Sequence, residues 1–97
     1  MRLITVLIAE DDHLIRSGIR RLIARFFADI DRAHQILESG NGRDAYRKCV
    51  SECVDILITD IKMPSMSGVT LVKKLREGKS APRWFCSDIP TSPATKR

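Results

Sequence analysis

The chain has 97 residues, 43% hydrophobic and 30% charged, with a formal net charge of +5, which leaves room for one globular domain and excludes a second folded module such as a helix-turn-helix. Its apolar runs are too short to span a membrane, and its scattered basic residues lack the interleaved aromatic side chains of a nucleic-acid surface. The N-terminal residues show no cleavage site of a signal peptide, and we expect a cytoplasmic protein that binds neither membranes nor nucleic acids directly.

The first strand and the first helix are marked by strong patterns. Residues 3–9 form a near-continuous apolar run, which is typical of a strand buried on both faces of a parallel sheet. The run ends in three carboxylates, Glu10, Asp11 and Asp12, and Asp12 is placed to cap a helix. The apolar positions of that helix, which we expect to face the core, are Ile15, Ile19, Leu22, Ile23 and Phe26. The residues expected on its solvated face are Arg16, Arg20, Arg21 and Arg25.

A weaker strand and a short helix come next. The strand is expected near residues 35–38, and the Gly-Asn-Gly sequence at 40–42 then predicts a turn. In the helix after this turn, Cys49 and Cys53 lie on the apolar stripe. We therefore expect two buried thiols rather than a pair of metal ligands.

The third strand repeats the pattern of the first. Residues 54–59 are largely apolar and they too end in a carboxylate, Asp60. The Met-Pro pair at 63–64 disfavours helix, after which Ser67 is placed to cap a third helix that ends at Gly78. The residues of this helix expected to point inward are Val69, Val72 and Leu75.

Strands that alternate with helices of this length predict the doubly wound α/β class, in which a parallel sheet is covered on both faces. Ligands of such sheets bind beyond the carboxyl ends of the strands, which is where Glu10, Asp11 and Asp60 lie. If the first and third strands are neighbours, these carboxylates converge, and a hard divalent cation, most simply Mg²⁺, relieves their repulsion. Asp60 would then be the nucleophile toward a phosphoryl group. The residues also allow the simpler interpretation that the first acids only cap a helix.

Two segments resemble the strongest signatures of the response-regulator receiver family of two-component signalling. They are residues 6–16, with the sequence VLIAEDDHLIR, and residues 54–68, with the sequence VDILITDIKMPSMSG. Their order, their separation and the intervening helices agree with that family, and the resemblance covers residues 3–77. It favours the cation site, and it implies a receiver domain over residues 1–87 with an incomplete flavodoxin-like sheet of three to four strands and three helices.

The resemblance also implies roles for residues at matching positions. Asp60 is expected to receive a phosphoryl group from the phosphohistidine of a sensor histidine kinase, which makes the chain a phosphoacceptor rather than an enzyme. Glu10, Asp11 and Asp60 are expected to hold Mg²⁺ together with the backbone carbonyl oxygen of Lys62. Ser87 is expected to take the position of the family's switch hydroxyl.

The resemblance weakens toward the C-terminus. Residues 88–97 contain two prolines among small polar residues and are expected to form a disordered tail. No lysine matches the family's Lys-Pro segment, so the chain resembles a C-terminally shortened receiver whose exposed sheet edge favours self-association. An alternative function is therefore a phosphorylation-independent interaction fragment that cannot switch.

Overall fold

The computed structural model describes residues 3–78, Pro82 and residues 84–86. Over this part of the chain, strands and helices alternate in the order β1 (Ile4–Ala9), α1 (His13–Asp29), β2 (His34–Ser39), α2 (Gly42–Ser51), β3 (Ile56–Thr59), α3 (Gly68–Glu77) and β4 (Trp84–Cys86). None of these helices combines the length and the hydrophobicity that crossing a membrane requires. The predicted tail at 88–97 lies outside the described residues.

The strands form a parallel sheet in the order β2-β1-β3-β4. The chain therefore passes from β1 to one neighbour and then crosses back to the other, and the winding reverses between β1 and β3. In the register of these two strands Ala9 pairs with Thr59, so the residues after them emerge side by side at the same edge. The doubly wound α/β fold with three to four strands and three helices, predicted from the sequence, is confirmed.

Two hydrophobic clusters fill the faces of the sheet. The face covered by α2 and α3 is lined by the buried residues Leu7, Ala9, Ala45, Cys49, Val54, Leu57, Leu71 and Leu75. The face covered by α1 is lined by the buried residues Val6, Ile8, Phe27 and Ile58, with half-buried isoleucines around them. Successive residues of β1 point to opposite faces, and because both faces are covered, Thr5, Val6, Leu7, Ile8 and Ala9 are all buried.

Each helix begins at a polar side chain that accepts hydrogen bonds from free backbone amides. Asp12 Oδ1 accepts from the amides of Leu14 and Ile15 at 2.9 and 3.1 Å, and Ser67 caps α3 in the same way. These two predicted caps are confirmed, as is the end of α3 at Gly78.

The inward face of two helices differs from the predicted stripe. Leu22 and Phe26 are 71% and 57% exposed, and the buried aromatic residue of α1 is Phe27, whose ring stacks on His34 at 5.0 Å between centroids. Val69 of α3 is likewise exposed, and Leu71 takes its place in the core. The predictions for Leu22, Phe26 and Val69 were wrong, whereas Ile19, Ile23, Val72 and Leu75 face the core as predicted. Neighbouring apolar residues compete for the inward face of a helix, and the contact with the sheet selects among them.

The two cysteines in and after α2 differ in burial. Cys49 is buried as predicted, and burial raises the pKa of its thiol to about 11. Cys53 is exposed, so its predicted burial was wrong. The reason is that α2 ends at Ser51, and a residue beyond the last turn no longer follows the helical stripe.

Candidate functional site

The site lies where β1 and β3 end. The amide of Asp60 donates to the carbonyl oxygen of Ala9 at 3.0 Å, and the amide of Glu10 donates to the carbonyl oxygen of Ser39 at 3.0 Å. The sheet hydrogen bonding thus continues one residue past each strand. As a result, the first residue after β1 and the first after β3 are held by the backbone at adjacent positions.

Three carboxylates meet at this edge of the sheet. Glu10, Asp11 and Asp60 each contribute a carboxylate oxygen, and the three oxygens lie within 4.8 Å of one another. Glu10 is buried, Asp60 is half-buried and Asp11 is exposed, so the cluster runs from the protein interior to the surface. The structure thus brings these acids together as predicted. Because Asp11 is exposed, the cluster is open to solvent on that side.

Glu10 is the least solvated member of the cluster, with 1% of its surface exposed. Its Oε2 atom accepts a hydrogen bond from the amide of Asp12 at 2.9 Å, while Oε1 is buried and has no hydrogen-bond partner within the described part of the chain. Burial raises the pKa of the Glu10 carboxyl, the Asp12 amide lowers it, and the nearby Asp60 and Asp11 raise it again. The charged form of this side chain needs further stabilisation.

A small divalent cation supplies that stabilisation. Carboxylate oxygens are the ligands that Mg²⁺ prefers, and it is commonly bound by one or two carboxylates while keeping several waters. The three clustered oxygens and the orphaned Glu10 Oε1 are a donor set of this kind. The residues present therefore fit Mg²⁺.

Asp60 is held at its backbone and at one carboxylate oxygen. The hydroxyl of Thr59 donates to the Asp60 carbonyl oxygen at 3.0 Å, and the amide of Ile61 donates to Asp60 Oδ1 at 2.8 Å. Gly68, the first residue of α3, lies so close that a Cβ there would overlap the Asp60 carbonyl oxygen, and its amide donates to Ile61 at 2.8 Å. Glycine is therefore required where α3 approaches the end of β3.

The loop after Asp60 is also tied to the start of α2, a contact that the sequence did not reveal. The amide of Gly42 donates to the carbonyl oxygen of Pro64 at 3.3 Å, and a Cβ at Gly42 would overlap the backbone of Met66. Between these contacts Ser65 has a φ of 66°, in the left-handed region. This close approach fixes the path of the loop that follows Asp60.

Arg16 is more buried than its sequence pattern predicted. It was expected on a solvated face, yet only 17% of its side chain is exposed, and its guanidinium lies 3.0 Å from Glu38 Oε1. The same guanidinium donates to the carbonyl oxygen of Glu10 at 2.7 Å. The i, i+4 spacing of Arg16 and Arg20 was the available signal, since Arg20 contacts the other oxygen of Glu38 at 2.9 Å.

Two further residues were predicted to belong to the site, Lys62 and Ser87. Lys62 is exposed in the loop two residues after Asp60, and the proposed ligand there is its backbone carbonyl oxygen rather than its side chain. Ser87 lies outside the described residues. The roles assigned to both stay predictions.

Comparisons with known proteins agree with the geometry. The chain matches the response regulator receiver domain family over residues 6–96. It is similar to the response regulator UvrY of Escherichia coli strain K12, with 33% identity over 73 residues, and to the uncharacterized transcriptional regulatory protein YesN of Bacillus subtilis strain 168, with 37% identity over 70 residues. These matches cover 75% and 72% of this chain but 32% and 18% of the relatives. The chain thus spans about a third or less of their length.

Solved structures share the architecture. The signal receiver domain of the putative response regulator NarL from Mycobacterium tuberculosis has a TM-score of 0.76 at 21% identity, covering 97% of this chain and 73% of that chain. The N-terminal domain of an uncharacterized protein from Wolinella succinogenes has a TM-score of 0.72 at 25% identity, covering 89% and 65%. The similarity to the NarL domain shows the fold and not the chemistry.

Proposed function

Because the chain belongs to the response regulator receiver domain family, a module of two-component signalling, we propose that it accepts a phosphoryl group on Asp60 from a sensor histidine kinase. The observation that carries this proposal is the meeting of three carboxylates at the ends of β1 and β3, where one buried oxygen of Glu10 has no hydrogen-bond partner among the residues that the structure describes. A cluster of this kind is costly to the fold unless a cation binds there, which supports a site kept for function.

The proposed Mg²⁺ ligands are the carboxylates of Glu10, Asp11 and Asp60 and the backbone carbonyl oxygen of Lys62. Bound there, Mg²⁺ offsets the negative charge that develops on a phosphoryl group during its transfer. Residues of the chain itself hold Asp60 in position. The amide of Ile61 holds Asp60 Oδ1 in place, and the Thr59 hydroxyl and Gly68 fix the backbone behind it.

The proposed reaction is a single transfer. A carboxylate oxygen of Asp60 attacks the phosphorus of the phosphohistidine and forms an acyl phosphate, while the phosphorus–nitrogen bond breaks and its electron pair stays on the imidazole, which then takes up a proton. The kinase supplies the histidine, so neither His13 nor His34 of this chain is required. Ser87 is proposed to hydrogen-bond the transferred group as the switch hydroxyl.

The chain belongs to a family of signalling modules, and the proposed transfer modifies the chain itself rather than turning over a separate substrate, so we do not propose an enzyme. Its rival function, an interaction fragment that works without phosphorylation, predicts a folded chain that takes up no phosphoryl group. The same experiment decides between the two functions.

That experiment is incubation of the purified chain with Mg²⁺ and acetyl phosphate, followed by intact-mass analysis. Wild-type protein is expected to gain a single phosphoryl adduct that hydroxylamine removes, as an acyl phosphate requires, and Asp60→Asn is expected to gain none. Asp31→Asn is the matched control, because Asp31 is an exposed aspartate 29 positions before Asp60 in the sequence. Its φ is 51°, a conformation that asparagine also accepts.

A folded wild-type chain without an adduct would support the fragment instead. An adduct that persists in Asp60→Asn would place the phosphoryl group on another residue. Circular dichroism of each variant establishes that the chains compared are folded.

A further inference from the structure

Arg16 reaches from α1 to the carboxyl ends of two strands. Its Nη1 atom donates to the backbone carbonyl oxygen of Glu10 at 2.7 Å, and its Nε atom donates to Glu38 Oε1 at 3.0 Å. Glu10 follows β1, and Glu38 lies near the end of β2. One guanidinium thus ties a residue of the acidic cluster to the neighbouring strand.

Glu10 is restrained at almost every polar atom. Its amide donates to Ser39 at 3.0 Å, its carbonyl oxygen accepts from Arg16, and its Oε2 atom accepts from the Asp12 amide. Only Oε1 lacks a hydrogen bond among the described residues. The restraints therefore leave a single oxygen of Glu10 available to a ligand and fix the backbone from which it projects.

We propose that Arg16 is a positioning residue for the divalent-cation site, because it clamps the carbonyl of Glu10 against Glu38 and so holds the Glu10 carboxylate in its binding orientation. This inference rests on the proposed function, since it assumes that the acidic cluster binds Mg²⁺. Residues that orient metal ligands typically contribute about 10- to 100-fold to metal affinity.

The planar guanidinium suits this task better than an ammonium group. Its donors point in fixed, divergent directions, so one side chain can satisfy a carbonyl oxygen and a carboxylate at the same time. A lysine at position 16 keeps the charge but presents its donors at a single point. Arg16→Lys is therefore expected to restore only part of the binding that arginine supports.

Arg20 provides a matched control on the same helix. It pairs with Glu38 as Arg16 does, at 2.9 Å to Oε2, and also donates to the carbonyl oxygen of Ile36 at 3.4 Å. Its side chain is 49% exposed, and its hydrogen bonds go to β2 rather than to Glu10. Loss of Arg20 removes a similar ion pair but leaves the clamp on Glu10.

The test is isothermal titration of the full 97-residue chain with MgCl₂. Arg16→Met is expected to weaken Mg²⁺ binding about 10-fold or more, Arg16→Lys by less, and Arg20→Met by less than about 2-fold. If Arg16→Met does not fold, Arg16→Lys carries the test, because a lysine variant that binds Mg²⁺ as tightly as wild type contradicts a role for the fork geometry.

A second measurement separates positioning from general stability. In phosphorylation by acetyl phosphate, the Mg²⁺ concentration for half-maximal rate is expected to rise in Arg16→Met, while the rate at saturating Mg²⁺ stays near that of wild type. Mere loss of folded protein would lower the saturating rate and leave the half-maximal concentration unchanged, and this result would overturn the inference.

The outcomes also separate this inference from the proposed function. If wild type binds Mg²⁺ but Arg16→Met binds it equally well, or if Arg20→Met is weakened to the same degree, Arg16 is not a positioning residue and the receiver site stands. If the folded wild-type chain binds no Mg²⁺, the metal site itself fails, and the inference fails with it.

Discussion

The two faces of the sheet are covered unequally in the described part of the chain. On one face α2 and α3 bury Ala45, Cys49, Leu71 and Leu75 against the strands. On the other face α1 is longer, yet Phe27 is its one buried residue among those described, and Leu14, Leu22 and Phe26 are exposed. In the central strand β1, Val6 and Ile8 on the α1 face are as buried as Leu7 and Ala9 on the other face. The difference in cover therefore lies mainly in the helices.

This difference bears on how the site is held. The loop after Asp60 leads into α3 and contacts the start of α2 at Gly42. It is therefore supported by the two helices of the densely packed face. Glu10 leads into α1, the more loosely packed helix, and is restrained by the polar contacts of Asp12 and Arg16 instead. The loop of Asp60 thus has the packing of α2 and α3 in addition to its hydrogen bonds, whereas Glu10 depends more on polar contacts.

The comparison is tested most strongly by the same substitution on each face. Leu75→Ala is expected to lower the free energy of unfolding by about 3 kcal/mol, because Leu75 is fully buried between α3 and the sheet. Leu22→Ala on α1 is expected to change it by less than about 0.5 kcal/mol. Urea unfolding followed by circular dichroism measures both, and equal losses would contradict the unequal cover of the two faces.

A pair of glycines provides the next largest effect. Gly68→Ala forces a Cβ onto the Asp60 carbonyl oxygen and is expected to destabilise the fold by about 2 kcal/mol. In α1 a Cβ at Gly18 would meet no atom of the described residues within 4 Å apart from its chain neighbours and its own helix backbone, so Gly18→Ala is expected to stabilise by about 0.5–1 kcal/mol through helix propensity. Thermal unfolding of both variants tests this, and a neutral Gly68→Ala would show that α3 can move away from Asp60 without cost.

The sequence predicted those features that depend on local pattern. The apolar runs before Glu10 and Asp60 identified β1 and β3, and their acidic ends predicted the carboxylate cluster, since parallel strands end at one edge. Asp12 and Ser67 were recognisable as caps because capping involves residues only a few positions apart.

The features that escaped prediction depend on contacts between distant segments. Phe27 follows Ile19 and Ile23 at intervals of four, and contact with the sheet favours it over the neighbouring Phe26. The contact of Gly42 with Met66 joins residues 24 positions apart, and the clamp of Arg16 on Glu38 joins residues 22 positions apart. A local pattern such as the i, i+4 spacing of Arg16 and Arg20 marks a shared helix face, but it does not identify the distant residue that this face contacts.

The smallest expected effect concerns charge at the start of α2. Asp44 Oδ2 accepts from the Ser39 hydroxyl at 2.8 Å and lies 3.2 Å from Lys48 Nζ. Desolvation raises the pKa of the Asp44 carboxyl, but the hydrogen bonds from Ser39 and Lys48 and the charges of Lys48 and Arg47 outweigh it, so the pKa falls below its ordinary value of 3.8. The ionised carboxylate therefore stabilises the folded state.

Asp44→Asn keeps the shape and the acceptor for Ser39 but removes the charge, and it is expected to cost about 0.5 kcal/mol at neutral pH. Because the folded-state pKa is lowered, this contribution is complete above the unfolded value of 3.8 and is lost as the pH falls through the folded value. The difference in unfolding free energy between wild type and Asp44→Asn should therefore shrink as the pH is lowered from neutrality to below that value. A difference that stays constant over this range would mean that α2 is held on the sheet by packing alone, which would sharpen the contrast with the hydrogen-bonded start of α1.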